Sequence, residues 1–264
     1  MSVASLLLGA SLAVAIAGLA YALGALSVSG ALGAIAVGTL TFGFGGAVSA
    51  ALLILFFVSS SALSRFGGAR KRAIAAAFAK GSRRDLGQVL ANGGMAAGLA
   101  VLFGLTGKGL WLAGVAGALA GVNADTWATE LGVLARSRPR LITSGAPVEP
   151  GTSGGITLEG TLAAAGGAAL VGLVGGLMGG GWGLAAAALA GGVAGALFDS
   201  LLGATVQAMF FCPTCGRETE RHPRHSCGTA TKHVRGWAWL DNDGVNFAAS
   251  LAGAIVSLAL WSLT

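Results

Sequence analysis

VASLLLGASLAVAIAGLAYALGAL, residues 3–26, carries no charge and turns apolar side chains to every face of a helix. A helix without a polar face has no side to give to water, so it lies in lipid or among other helices. The rest of the chain repeats the pattern: of 264 residues, 55% are hydrophobic and only 10% charged, with a mean hydropathy of +0.79. A soluble core of this size needs polar outward faces that such helices lack. The sequence therefore reads as an all-α, polytopic transmembrane helical bundle, one integral membrane domain over residues 1–264. No basic residue precedes the first segment and no convincing cleavage signal follows it, which makes it a retained helix rather than a signal peptide.

Further apolar stretches cover 30–63, 88–105, 110–134, 158–178, 182–209 and 245–263. Seven crossings are expected, with six to eight tolerated. The second stretch is too long for one straight crossing at about 1.5 Å per residue, and TFGFGG at 41–46 marks a break within it. The small-xxx-small pairs Gly94/Gly98, Gly117/Gly121, Gly176/Gly180 and Gly191/Gly195 let helix backbones approach closely.

Basic residues fall in three loops: Arg65, Arg70, Lys71, Arg72, Lys80, Arg83 and Arg84; then Arg136, Arg138 and Arg140; then Arg217, Arg221, Arg224, Lys232 and Arg235. Only Lys108 lies elsewhere. Two spans separate each loop from the next, so all three emerge on one face, which the positive-inside rule makes cytoplasmic. In a prokaryote that membrane is the plasma membrane. Topology and contact with anionic headgroups account for most of these charges. No basic surface is interleaved with base-stacking aromatics, which excludes nucleic acid as a partner.

Against this background the run NADTWATE at 123–130 places two carboxylates, Asp125 and Glu130, in an apolar stretch, where bare charge is costly. Most other acids lie in or beside the basic loops. Carboxylates gathered at one end of a bundle, beside arginines and glycine-rich turns, suit a divalent cation bridging bound phosphates, and all-oxygen ligands suit magnesium. On an ideal helix Asn123 and Glu130 share a face, whereas Asp125 points about 140° away from Glu130. Asp125 is thus the preferred magnesium ligand, and Glu130 a partner for an arginine. Asp199 repeats the pattern in a later helix, its alternative role being a polar contact between helices. Before the last span, Asp241, Asn242, Asp243 and Asn246 exceed what a helix cap requires, although Asn242 or Asp243 would serve as an ordinary cap. Asp241 and Asp243 complete the candidate magnesium set.

The stretch EPGTSGGITLEG at 149–160 has the composition of a phosphate cradle, with Gly151, Thr152, Ser153, Gly154 and Gly155 offering backbone amides and hydroxyls just before a helix begins. It is not a Walker loop, and glycine turns often only reverse the chain. In GSRRDLGQVLANGG at 81–94, Arg83 and Arg84 are candidates to grip phosphate, the bland alternative being a capped helix start with snorkelling arginines.

All three cysteines lie in one loop: Cys212 and Cys215 in a CxxC knuckle, then Cys227, with His222 and His225 between. This is the ligand set of a tetrahedral Cys3His zinc site with His225 or His222 as the fourth ligand. The odd count and the inferred cytoplasmic side disfavour a disulfide. A filled four-ligand site has no open position, so a structural zinc in a cytoplasmic insertion at 210–236 is expected, without a catalytic role.

Taken together, SRRDLGQVLANGG, NADTWATELG, PRLIT followed by PGTSGG, FDSLLGATVQ, CPTCG with HSCG, and WLDNDGVNF resemble, in order from Ser82 to Phe247, the phytyl-phosphate kinase and transmembrane protein 19 family. DTWATELG and GTSGGITLEG look more distantly like elements of CTP-dependent dolichol and phytol kinases. The resemblance implies phosphoryl transfer from a nucleoside triphosphate, typically CTP, to an isoprenoid monophosphate. Asp125, Asp199 and Asp241 or Asp243 would then hold magnesium, Arg83 and Arg84 phosphate, and Gly151 to Gly155 the nucleotide phosphates, with Asn123, Glu130 and Asn246 beside them. Two rivals remain. One is a lipid alcohol kinase or cytidylyltransferase using the same CTP site; the other is an ion-coupled transporter using Asp125, Glu130 and Asp199 as a path.

Overall fold

The computed structural model describes residues 3–66 and 83–263, so Arg70, Lys71, Arg72, Lys80 and Ser82 lie outside the described residues. Its long helices are α1 (Val3–Ala22), α2 (Val28–Arg65), α3 (Leu86–Thr106), α4 (Gly109–Gly132), α5 (Leu158–Gly175), α6 (Gly181–Thr205) and α7 (Asn242–Trp261). Two small sheets join them: β1 (Arg140–Leu141) with β2 (Gly155–Ile156), and an antiparallel three-stranded sheet in the order β4 (Arg217–Thr219), β3 (Met209–Cys212), β5 (Lys232–Arg235). The insertion expected as a knuckle loop is therefore a sheet with its own hydrogen-bonded frame.

Among the described residues, five stretches are long and apolar enough by length and composition to cross a membrane: Val3–Ala22, Val28–Arg65, Leu86–Thr106, Leu158–Thr205 and Asn242–Trp261. Seven were expected, and the difference has two physical sources. Leu158–Thr205 is one apolar stretch that reverses on a glycine turn, Gly176–Gly180, where Gly179 and the following Gly181 adopt positive φ. Past the turn the arms run antiparallel, Gly172 against Ala185 and Ala168 against Gly192. The second source is α4, which carries Asn123, Asp125 and Glu130 and is shielded by protein: every residue of 113–124 is buried, and it packs on α2, α3, α5, α6 and α7.

Glycine sets the spacing in this centre. A side chain on Gly117 would strike Ser257 and the Gly253 carbonyl, and one on Gly191 or Gly195 would strike the backbone of α7, so α4, α6 and α7 cross nearly backbone to backbone. Ser257 Oγ donates to the Ala113 carbonyl at 2.8 Å across that seam. Gly94 and Gly98 face open space and Gly176 and Gly180 build the turn, so only two of the four expected pairs pack helices. The break expected at 41–46 is at Gly46, whose φ of 67° interrupts α2. A straight α2 would be far longer than the roughly 30 Å hydrocarbon core.

Candidate functional site

One end of the bundle encloses a cavity of about 820 Å³, lined by the ends of α2 to α6, the start of α7, the turn at 150–157 and the segment 220–224 of the three-stranded sheet region. Arg84, Pro139, the turn at 150–157, Arg221 and Arg224 meet there.

At its floor Asp125 of α4 and Asp199 of α6 bring their carboxyls within hydrogen-bonding reach of each other, and Glu220 stands close enough for its charge to act on both. Asp199 Oδ2 is buried without a hydrogen-bond partner among the described residues. Helix–helix packing explains the proximity: a side chain on Gly192 would meet Ala120, and Gly121 lies against Gly195, so α4 and α6 are in register just below the two acids.

Glu130 lines the same cavity but engages a different wall, accepting a 2.5 Å hydrogen bond from Ser64 Oγ and acting on Arg84 through charge. That separation agrees with the helical wheel. Arg84 is held by its backbone, which donates to the Ala25 carbonyl and accepts from the Ser27 amide. A side chain on Gly30 would run into the Arg84 carbonyl, so only glycine permits this approach. The Arg84 guanidinium sits over the rings of Phe56 and Phe57, 5.6 and 5.5 Å from their centroids, and donates to Ser61 Oγ at 3.3 Å.

Its neighbour is a correction. Arg83, expected beside phosphate, does not line the cavity; it donates from Nε to the Leu26 carbonyl at 3.0 Å and lies over Tyr21. Asn123 is also absent from the wall: fully buried, it accepts from Ser59 Oγ and donates to the Gly167 carbonyl, tying α4 to α2 and α5. The helix-capping alternative holds for Asp85, which forms a capping box with Gln88. At the last helix the cap is Asp241, accepting from the Gly244 amide at 3.0 Å, rather than Asn242 or Asp243. Asp241, Asp243 and Asn246 all line the cavity.

Gly151, Thr152, Ser153, Gly154 and Gly155 form its opposite wall. The turn is pinned where Gly154, at φ +82°, packs against Ala204 of α6. A Gly154 side chain would come within 2.4 Å of Ala204 Cβ, and the φ value alone disfavours any residue with a Cβ. Gly154→Ala is therefore expected to cost about 3 kcal/mol and lower the melting temperature by several degrees in a thermal unfolding scan. Gly145→Ala, equally left-handed at φ +70° but facing open space, should lose only the conformational part.

Three groups in the wall were not foreseen. Buried Gln207 accepts from Ser153 Oγ at 3.0 Å and donates to Glu220 Oε1 at 2.9 Å, linking the glycine turn to the sheet. Arg221 and Arg224 line the cavity, and Arg221 Nε is buried without a partner among the described residues. A glutamine just past the end of α6, and basic residues set between metal-ligand candidates, were the available signals.

Cys212, Cys215, His225 and Cys227 bring one ligand atom each within 4.8 Å of one another, so this group has the means to bind a metal ion. Cys212 and Cys227 sulfurs are 3.6 Å apart, and His225 Nδ1 lies 3.4 and 3.3 Å from the Cys215 and Cys227 sulfurs. Those are the edges of a tetrahedron: bonds of about 2.3 Å to sulfur separate two sulfurs by about 3.8 Å, far beyond the roughly 2.05 Å of a disulfide. The Cys227 thiol is pulled down to about 5, first by the Thr229 hydroxyl and then by His225, while the hydrogen bond with Cys227 pushes Cys215 up to about 11, so one sulfur of the set is favoured as the thiolate that a metal binds. His222, the alternative ligand, instead stacks on Phe210 with centroids 4.5 Å apart.

Residues 11–254 match the family described as integral membrane protein DUF92. Over 256 residues the chain is 36% identical to Protein PGR of Arabidopsis thaliana, covering 86% of this chain and 85% of that protein. An uncharacterized membrane protein of Methanocaldococcus jannaschii is 38% identical over 66% of this chain and 72% of its own length. Another from Synechocystis is 30% identical over 79% and 72%. No solved structure matches.

Proposed function

The chain belongs to the DUF92 family of integral membrane proteins, and from that premise we propose that it is a membrane-embedded kinase. It would move a phosphoryl group from a nucleoside triphosphate, CTP foremost, to an isoprenoid monophosphate such as phytyl or geranylgeranyl phosphate. The observation that carries the reading is the facing pair Asp125 and Asp199 on a cavity that also holds Arg84, Arg221 and the glycine-rich turn. Two ionised carboxylates about 4 Å apart repel by roughly 4 kcal/mol at an effective dielectric of 20. Ionised together, the pair is stable only when a cation joins them; otherwise it must hold a shared proton.

An all-oxygen pair with an orphaned buried Oδ2, in a space wide enough for phosphates and water, fits magnesium. When bound, magnesium would neutralise charge on the transferred group and fix the donor phosphates. The chain's own residues do the rest. Arg84, oriented by Glu130 and the two phenylalanines, holds the acceptor phosphate. Arg221, Arg224 and the turn at 151–155 hold the donor polyphosphate, with Asp243 and Asn246 completing the floor. An acceptor phosphate oxygen attacks the terminal phosphorus, the bond from that phosphorus to its bridging oxygen breaks, and the nucleoside diphosphate leaves with the electron pair. The attacking oxygen is already anionic, so no strong base is required and catalysis reduces to alignment and charge neutralisation. The Cys3His group holds a structural zinc, and the basic loops put this end of the bundle on the cytoplasmic side.

The test is turnover of γ-labelled CTP by protein in lipid nanodiscs with phytyl, geranylgeranyl or farnesyl phosphate, where labelled diphosphate is expected. Label appearing only on added prenyl alcohols, or labelled pyrophosphate released together with an unlabelled cytidine diphosphate lipid, would reassign the site to its rival CTP chemistries. Ion-driven uptake into vesicles, lost in Asp125→Asn, would reassign it to transport, and folded protein that never consumes CTP rejects the kinase. Arg84→Ala should raise KM for the lipid phosphate by roughly 10- to 100-fold with KM for CTP nearly unchanged, and Arg221→Ala should do the reverse.

A further inference from the structure

Between α1, α2 and the start of α3 lies a second cavity, about 80 Å³, walled by apolar side chains. Small residues make it: Ala13 and Ala17 of α1 face Ala34 and Gly38 of α2 where bulkier side chains would close the gap. Among the described residues, polar groups stand only at its α3 side, namely Arg84, Gln88 and Asn92. Arg84 and Gln88 line the large polar cavity as well, so the two spaces adjoin across one guanidinium and one amide.

The polar groups there are not equivalent. Gln88 Oε1 accepts from the Asp85 amide, and Asn92 Nδ2 donates to the Gln88 carbonyl, so both serve the helix. Arg84 is the charge at the junction. Its flat faces tolerate apolar neighbours, here two phenylalanine rings, while its edges keep hydrogen-bonding capacity for an anion.

We infer that this crevice is the tail site for an amphiphile: its phosphate lies against Arg84 in the polar cavity, and the isoprene unit nearest the phosphate lies between α1, α2 and α3. The space is several times the ~15 Å³ that one water needs, yet away from its α3 side the apolar lining offers water no partners, so an apolar group is the fitting occupant there. The remaining chain passes into the bilayer beside Ile54, a wall residue that is 37% exposed on the outer surface of α2. The isoprenoid identity rests on the kinase reading; the placement rests on the junction at Arg84.

The experiment uses geranylgeranyl phosphate with a photoreactive diazirine on the isoprene unit nearest the phosphate, added to the whole protein in phosphatidylcholine nanodiscs. Irradiation and peptide mass spectrometry should find adducts on α1, α2 and the start of α3. Ile54→Trp, at a partly exposed position that tolerates a larger side chain, should lower that labelling by about tenfold without loss of thermal stability. Adducts confined to α5, α6 or α7 would overturn the inference, as would crevice adducts equally competed by phosphatidylglycerol, which would mark an ordinary bilayer-lipid site. Crevice adducts in protein that never consumes CTP would leave the tail site standing and remove the kinase. Normal turnover with adducts elsewhere would do the opposite.

Discussion

Asp199→Asn is expected to remove magnesium-dependent turnover, by on the order of a thousandfold or more, while making the metal-free protein more resistant to heat. The two effects have one cause. In the metal-free protein Asp125 and Asp199 confront each other inside the bundle, and Asp199 Oδ2 has no donor among the described residues. Asparagine keeps the shape, removes one charge and supplies an N–H that the Asp125 carboxylate accepts at any pH, so at a pH high enough to strip the proton that the wild-type pair can share, a repulsive contact becomes a hydrogen bond worth about 1 to 3 kcal/mol. For a chain of this size that is a rise of several degrees in melting temperature. The same change removes one arm of the cation site, so magnesium, expected to raise the wild-type melting temperature, should leave the variant's unmoved. Asp125→Asn should behave alike, and the double variant should lose little more than either single one, because the pair acts as a unit. If the contact merely joined α4 to α6, Asp199→Asn would leave turnover intact and the magnesium response unchanged.

What the sequence made legible followed from local cost. An uncharged stretch at 3–26 has only one kind of solvent, and TFGFGG had to interrupt a stretch too long for the bilayer. The Cys3His set was equally readable, because tetrahedral coordination restricts which side chains cluster, although the choice of His225 over His222 needed the fold: Phe210 claims the other ring. Arg83 and Arg84 show the limit. Adjacent in sequence and identical in chemistry, they diverge because the Ala25 to Ser27 bridge to Arg84 turns one side chain toward α1 and the other over Phe56 and Phe57. Pairings across long stretches, such as Gln207 with Ser153, leave no periodic trace, so the contribution of segment 220–224 to the cavity was hidden. The setting of the central helix α4 was hidden for a related reason: its run 113–124 is buried by neighbouring helices on every side, which is why it accommodates Asn123 and Asp125.

That hidden contribution gives the second large expected effect. Cys227→Ser, or removal of zinc by a chelator, should abolish turnover although no cysteine lines the cavity. Cys215 and His225 bracket the segment carrying Glu220, Arg221 and Arg224, so a metal bound by the Cys3His group would fix both ends of a cavity wall. In small zinc domains the metal supplies about 10 to 16 kcal/mol of folding energy at neutral pH, far more than this short three-stranded sheet can replace. Without it Glu220 leaves Gln207, Gln207 loses the acceptor that orients it toward Ser153, and the glycine turn loses its tether to the sheet. Hydrogen exchange should accelerate across 209–235 and at 151–155 while the amides of 113–124 stay protected, since α4 draws its stability from the helices around it. Metal analysis should give one zinc per chain in the wild type and none in Cys227→Ser. Zinc, and not magnesium, should restore chelated protein, whereas Asp199→Asn should hold its zinc in full; a variant without zinc that still turned over CTP would detach the sheet from the site.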